Sequence, residues 1–545
     1  MFAISNLNKK FSVLLLFVIF FLLGIFVFSD YGISIDEDNT RIAGFLTLES
    51  IFKIFAPEQL VKVNNIIAEE RSFYPNLDVI PTTGMIFDLP MAFLELIFQI
   101  EDSRQYFLIR HFFNFLFFFI SVYFFFLLAK KRFDSWFLGI LAAIFLIISP
   151  RIFANSFYNN KDIIFMSLFI VNLYVAINFL EKRNFKNAII FSIISALSIN
   201  IRILGIILPL LVFFIYIINI LRSKNKNIKK EIGSLVAMLF LLPFFIFLLW
   251  PYLWDAPVEN FLRSIKILSG HSLNIYSYYM GQYFFENNIP WHYHVVWIFV
   301  TTPFFYCILF IVGFVFIFQR AIKRLLKIEK NDSYTDLWRG NKELQDLIFF
   351  STFLIPIIIA IDFGSVSYDG WRHLYFIYPS FLLIALLGLN IIKIIFLKKK
   401  ENHLYILCLV LTIPIMFSMY KNHPHQNVYF NFLAGKNFNE RFEMDYFGIS
   451  NRKALEYITH QENKVISVYN LSTSDLGLSK KMIEKNDRKQ INISSNIEKA
   501  DYLINSYRNW KGGIKPINFV PPDNFKVFHE IKVDNVPINT IYKKR

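Results

Sequence analysis

The sequence predicts an α-helical polytopic membrane protein of about eleven transmembrane helices, followed by a small extracytoplasmic α/β domain. Three observations predict it. Of 545 residues, 55% are hydrophobic and 18% are charged, where a soluble domain carries about 25% charged residues. The apolar residues are gathered into runs long enough to cross a bilayer. From Lys421 onward those runs shorten and polar residues rise. A soluble fold could not hide 66 Phe and 27 Tyr and still make a polar surface. An ordinary cytosolic enzyme, a disordered chain and a disulfide scaffold are therefore excluded. The two cysteines, Cys307 and Cys408, lie inside apolar runs, so neither a structural disulfide nor a Cys-based metal site is expected.

The first span is 11–28, preceded by Lys9 and Lys10 and followed by no small-residue cleavage site; it reads as an uncleaved signal anchor. Further spans are expected at 107–128, 136–148, 162–180, 188–199, 203–221, 232–250, 294–318, 347–361, 374–395 and 404–419. Basic clusters follow the second span (Lys130 to Arg132), the fourth (Lys182-Arg183), the sixth (Arg222 to Lys230), the eighth (Arg320 to Lys330) and the tenth (Lys398 to Lys400). All fall on the side that holds the N-terminus, which the positive-inside rule places in the cytoplasm. The net charge of +15 is thus explained by inner loops, and no nucleic-acid partner is expected. The stretch 84–100 is apolar but holds Asp88, Pro90 and Glu95. Counting it as a span would invert every later loop, so it is expected to lie along or dip into the outer leaflet.

This gives a membrane domain over 1–420, with a long first outer loop at 29–106, and an extracytoplasmic domain over 421–545. The first outer loop opens with Asp36-Glu37-Asp38 and continues with apolar residues at helical spacing (Ile42, Phe45, Leu46, Leu48), as in an amphipathic interfacial helix. The second outer loop reads Ser149-Pro150-Arg151, then Asn159-Asn160-Lys161-Asp162. A tight turn holds Asn200 and Arg202. Later loops carry Trp250 to Asp255, Pro290 to His294, and Tyr368 to His373. Arg151 is expected as a snorkelling anchor, and Trp250, Trp254 and Trp291 as an aromatic belt. Arg202 has almost no room and needs a buried or phosphate partner. In the tail, strands are expected at 465–469, 502–506, 526–533 and 538–542, and a helix at 452–459. No nucleotide-binding Gly-rich loop occurs there.

Ionisable residues at span ends are costly and mark function or pairing. One face gathers carboxylates with Lys161, Arg202 and Arg372, a set suited to an anionic lipid-linked substrate whose phosphate needs cationic donors. A first-loop carboxylate could serve as base to a hydroxyl nucleophile. Hard cations also favour carboxylates, so a divalent metal at Asp36, Glu37 and Asp38 stays open.

Several ordered motifs carry a resemblance. They are Asp36-Glu37 shortly after the first span, SPRIFANSFYNNKDIIF at 149–165, PWHY at 290–293, YDGWRH at 368–373, HPHQNVYFNFLAG at 423–435 and RFEMDYFGIS at 441–450. Over nearly its whole length the chain resembles the GT-C superfamily of membrane glycosyltransferases, in particular the bacterial branch of the protein O-mannosyltransferase-like family, glycosyltransferase family 39. It departs from the pattern at His425, where the family carries an aromatic, and at Phe447, where it carries Trp. The resemblance implies the GT-C fold, a polyprenyl-phosphate sugar donor, a hydroxyl acceptor (protein, glycan or lipid), inverting transfer, and catalysis by Asp36. Glu37 would orient Asp36 or contact the acceptor. Lys161, Arg202 and Arg372 would hold the donor phosphate. Asp162, Trp291, His292, Asp369 and His373 are further candidate binding residues. The rivals are a lipid-linked glycan transporter or flippase, which would place substrate residues at the midplane, and a glycan ligase of the same superfamily.

Overall fold

The computed structural model describes residues 6–73, 83–222, 228–270, 274–326, 337–362, 367–396, 401–509, 511–512 and 519–545. The basic run at 398–400, and parts of those at 222–230 and 320–330, lie outside the described residues. The fold class is as the sequence predicts: a bundle of apolar helices with a small sheet at the C-terminal end. Every expected span is helical, although they differ in kind. Among the described residues, eight helices are long and apolar enough to cross a membrane, and one helix pair bent by 67° makes a ninth. The stretches at 185–201 and 406–421 are apolar helices too short for that measure.

The first span is α1 (Asn6–Val27), with Phe11, Leu14, Val18, Leu22 and Phe26 exposed. A chain in water would cover such a face; here it is the face for lipid. After it come α2 (Ile35–Phe55), α3 (Leu60–Phe73) and α4 (Asp88–Ile97). At ten residues α4 spans about 15 Å, half a hydrocarbon core. The expectation that 84–100 does not cross fits this length. Its carboxylates turn inward, however: Asp88 and Glu95 are buried. The second span, α5 (Ser103–Phe133), starts at Asp102, whose side chain accepts from the Arg104 amide, and ends at Asp134 in the left-handed region.

The bent pair is α6 (Trp136–Ile147) and α7 (Pro150–Tyr158). The expected loop over 149–158 is therefore a helix, and every residue of α7 is buried. Pro150 at its first turn lacks an N–H to lose, so it starts a helix at a new angle. α8 (Asp162–Glu181) follows, then α9 (Phe185–Ile201), capped by Asn184. Next come α10 (Ile207–Arg222), α11 (Ile228–Leu248) and α12 (Pro257–Gly270). Between α12 and the next span lies a hairpin the sequence reading lacks, β1 (Tyr276–Tyr279) with β2 (Gln282–Phe285). Two strands alone are marginal in water. This pair docks on the segment after the last span, where the Glu443 amide donates to Tyr278 O and the Gly281 amide to Arg441 O, both at 3.1 Å. The expected span 294–318 is broken at Thr302-Pro303 into α13 (Tyr293–Thr301) and α14 (Phe304–Leu326). The bundle ends with α15 (Gly340–Asp362), α16 (Tyr378–Phe396) and α17 (Glu401–Lys421).

Beyond α17, a run of short turns packs back into the core of the bundle through Val428, Phe430, Phe438, Phe442, Phe447 and Ile449. Then α18 (Ser450–Gln461) and β3 (Ile466–Asn470) lead to α19 (Leu476–Lys480), α20 (Lys485–Arg488) and β4 (Ile491–Ile493). The chain ends with β5 (Tyr502–Asn505), β6 (Phe525–Val533) and β7 (Val536–Lys544). Strand order is β4-β3-β5-β7-β6, with β3 parallel to both neighbours and β7 antiparallel to both of its own. The sheet and α18 close their own apolar core around Leu455, Ile458, Val468, Ile504 and Ile541.

Candidate active site

The site is built where four chain segments end together. The first is the start of α2. Ser34 caps it: the Glu37 carboxylate accepts from the Ser34 amide at 2.8 Å, the reciprocal half of a capping box. The cap fixes the first turn, and successive side chains leave it about 100° apart. Asp36 points to Arg372. Glu37 is buried, with His111 Nε2 3.0 Å from Oε1. Asp38 points to Lys481, at 3.1 Å. The acidic triplet therefore does not fit a metal site, because its three carboxylates diverge to three different partners. Among the described residues, no three His, Cys, Asp or Glu side chains converge as ligands would.

The second segment is the turn from α7 into α8. Asn159 closes it: its side chain donates to Asp162 Oδ2 at 3.0 Å and accepts from the Asp162 amide at 2.9 Å. Asn160 ties the turn to the first-loop helices, donating to Thr40 Oγ1 at 2.7 Å and Asp88 Oδ1 at 2.8 Å. Lys161 and Asp162 are thereby held at the N-terminus of α8, where a helix favours negative charge. The third segment is the end of α9, which delivers Arg202 onto Asp162. The fourth is the turn 368–372. Asp369 and Gly370 both take positive φ, +57° and +69°, a bend that Asp tolerates and Gly takes freely. The Gly370 amide donates to Tyr293 Oη at 3.0 Å.

Arg372 is the hub. Nη1 donates to Asp36 and, at 3.4 Å, to Asp162; Nη2 lies 3.1 Å from Asp369. Tyr368 and Phe447 each place a ring 5.0 Å from its guanidinium carbon, a contact worth about 1 kcal/mol or more where water is excluded. Phe447 occupies one of the two positions where the chain departs from the family pattern, and it still supplies a ring. His373 stacks edge-on against Tyr368.

The three carboxylates around Arg372 are not equivalent. Side-chain exposure is 24% for Asp36, 5% for Asp369 and 1% for Asp162. Of these three, Asp36 is the one open to solvent. Burial raises the Asp369 carboxyl above its ordinary value, against the pull of Arg508 and Arg372. Burial, with Arg202 next, lowers the Lys161 ammonium. Lys161 makes no ion pair within 4 Å among the described residues, so its charge is available to a ligand.

The structure thus brings together Asp36, Lys161, Asp162, Arg202, Asp369, Arg372 and His373. It does not bring Trp291 or His292 there. Trp291 is 70% exposed, and His292 Nδ1 meets Tyr279 Oη at 2.6 Å. Glu37 does not face outward, since its oxygens serve Ser34 and His111. Two expectations about single residues change. Arg151 is buried rather than snorkelling: Nε donates to Tyr429 O at 3.1 Å and the guanidinium lies over Trp297 and Phe430. Trp250 is buried rather than part of a belt; Trp254 is half-buried.

Sequence reading missed a second ionic layer behind the site. Arg41 reaches Glu95 and Glu70, each at 2.5 Å; Arg110 reaches Asp88 at 2.8 Å; Lys481 reaches Asp38 and Glu70, each at 3.1 Å. Burial raises the Glu37 carboxyl, and His111 pulls it back. Arg110-His111, one turn inside an apolar span, was the available signal, because ionisable groups there call for partners.

Residues 89–250 match the family model described as dolichyl-phosphate-mannose-protein mannosyltransferase. The matched stretch contains Lys161, Asp162 and Arg202; Asp36 and Arg372 flank it. No curated protein matches the chain. The match agrees with the resemblance carried by the motifs: over this stretch the chain is similar to GT-C mannosyltransferases, and its apolar helices are those of a multi-pass membrane protein.

Proposed function

We propose that this protein transfers a sugar from a polyprenyl-phosphate donor to a hydroxyl acceptor at the outer face of the membrane, with inversion at the anomeric carbon. The observation that carries this reading is the cluster itself: one accessible carboxylate, Asp36, beside three cations, Lys161, Arg202 and Arg372. Asp36 takes the proton of the acceptor hydroxyl. The oxygen forms a bond to the anomeric carbon as the bond to the phosphate oxygen breaks. The phosphate leaves as its own anion, so the step needs no strong acid. Arg372, Arg202 and Lys161 meet the charge that develops on it. Asp162 and Asp369 hold Arg202 and Arg372 in place; Glu37 holds the first turn of α2.

Asp36 and Arg372 are bonded to each other here. A donor phosphate would draw Arg372 toward itself and release the Asp36 carboxylate for its base role. The lysine- and arginine-rich loops support a cytoplasmic N-terminus, and with it an outer position for the cluster and the C-terminal sheet. Mannose, the sugar in the family model's description, is the first to test. Membranes carrying Asp36→Asn are incubated with labelled polyprenyl-phosphate mannose and a panel of other lipid-linked sugars. Loss of transfer of about a hundredfold or more is expected for a base; near-normal transfer would remove Asp36 from that role. Release of free polyprenyl phosphate by the wild type separates a transferase from a flippase, which moves its cargo intact.

A further inference from the structure

We infer that Arg508, in the C-terminal sheet unit, is a positioning residue for this site: it holds Asp369 so that Arg372 stays available to Asp36 and to the donor phosphate. The inference rests on the proposed reading of the cluster as a phosphate site. Its basis is a continuous line of ion pairs, Arg508–Asp369–Arg372–Asp36. Exposure along that line is 0% at Arg508, 5% at Asp369, 3% at Arg372 and 24% at Asp36. Arg508 is sealed and cannot touch a substrate; whatever it does, it does through Asp369.

Its support is rigid. Arg508 follows β5, the middle strand of the sheet. Its carbonyl accepts from the Thr473 amide at 2.9 Å and from Thr473 Oγ1 at 3.0 Å. Its guanidinium pairs with Glu443 as well as Asp369. Asp369 sits in a left-handed turn whose next amide is held by Tyr293. Neither partner is free to drift.

The charge count gives Arg508 its role. Four carboxylates, Asp36, Asp162, Asp369 and Glu443, face four cations, Lys161, Arg202, Arg372 and Arg508. Without Arg508, Asp369 would have Arg372 as its only cation among the described residues, and the cluster would carry one carboxylate in excess beside an anionic donor. At these separations and this burial, an uncompensated charge is felt strongly. The C-terminal unit thereby completes the site from outside the stretch that matches the family model.

The test uses the purified full-length chain in detergent, with undecaprenyl phosphate as the probe and tryptophan fluorescence or a thermal shift as the readout. Arg508→Gln is expected to weaken binding about tenfold or more. Arg508→Gln combined with Asp369→Asn restores the charge count and is expected to bind within about threefold of wild type. Arg488→Gln, which removes a separate contact of the same unit with Asp102, is expected to bind as wild type. Affinity is read on protein shown to be folded by its thermal unfolding, since losing one partner of a buried pair also costs stability; unweakened binding by folded Arg508→Gln, or a double variant that binds no better than the single, overturns the inference. If Arg508→Gln does not fold, Arg508→Lys carries the test: it keeps the charge count and loses only the fork, so binding within about threefold of wild type is expected, and a loss of about tenfold or more overturns the inference. If the wild type binds no undecaprenyl phosphate, the phosphate reading itself falls, and the inference with it.

Discussion

Arg372 donates from one nitrogen to Asp36 and from the other to Asp369, so the role proposed for it depends on a fork rather than on charge alone. Arg372→Lys keeps the charge and cannot span both carboxylates. Transfer from a labelled polyprenyl-phosphate sugar should fall about a hundredfold, with the overall fold preserved by gel filtration; a fall of less than threefold would remove Arg372 as the phosphate ligand. Lys161 gives a pH signature. Its ammonium is lowered by burial, then by Arg202, and the phosphate contact proposed for it needs the protonated form. As pH rises through that lowered value, kcat/KM should fall, earlier than an ordinary lysine near 10.4 would allow. Lys161→Arg should move the fall to higher pH; a profile that does not move excludes Lys161 from donor binding. At this scale much of the cluster was legible. Asp36, Asp162, Arg202, Asp369 and Arg372 are ionisable residues at the ends of apolar runs, and there are few of those. What was not legible is who pairs with whom. Arg508 and Asp369 lie 139 positions apart, and no local spacing links them. Asp36-Glu37-Asp38 looked like one acidic unit and is three unrelated contacts, because a helix turns its neighbours away from each other.

Where helices cross most closely, glycine decides. A Cβ on Gly313 in α14 would come within 2.0 Å of Ile384 O in α16, and one on Gly388 would come equally near Leu309 O. The backbones meet there as in small-residue packing between membrane helices. Gly313→Val must push the two helices apart; a loss of about 3 kcal/mol or a failure to accumulate is expected, read by thermal unfolding in detergent, whereas Val on the open position Gly233, which has nothing within 4 Å, should be tolerated. Unchanged unfolding of Gly313→Val would show that α14 and α16 do not meet this way. The helices themselves were readable from apolar length, since lipid demands that backbone groups bond within each segment. The breaks were harder. The sequence reads Pro150 as loop and Pro303 as the interior of one span, 294–318; instead α7 begins at Pro150 and α14 just after Pro303. The hairpin β1–β2 lacks polar alternation because Tyr and Phe stand on both faces; its signal was the Met280-Gly281 turn, where both residues take positive φ. β4, three residues long, gave no run to read.

The whole molecule is held by the way the polar end closes over the helical end. Arg452 donates to Ser29 O at 2.6 Å and Tyr31 O at 2.7 Å, on the strand of chain that enters α2. Arg488 reaches Asp102, and Lys481 reaches both Asp38 and Glu70. The sheet unit therefore grips the first-loop helices at several points around the first turn of α2, and acid should loosen that grip. Burial would raise the Glu70 carboxyl, but Arg41 and Lys481 outweigh burial and hold it below its ordinary value. A carboxylate depressed in the folded state adds stability above its unfolded value, about 4.3, and loses it as pH falls through the folded value. Asp38 has the opposite sign: burial, against the pull of Lys481, raises its carboxyl, so its ionised form costs stability that protonation in acid returns. The two neighbours can be told apart by substitution. Glu70→Gln should cost about 2 kcal/mol at pH 7 and progressively less below pH 4, while Asp38→Asn should cost less at pH 7 than Glu70→Gln does. Thermal unfolding of the three proteins across pH 3 to 7 measures this. A Glu70→Gln penalty that stays constant through the acid range would mean that Glu70 is not the charged rung between Arg41 and Lys481.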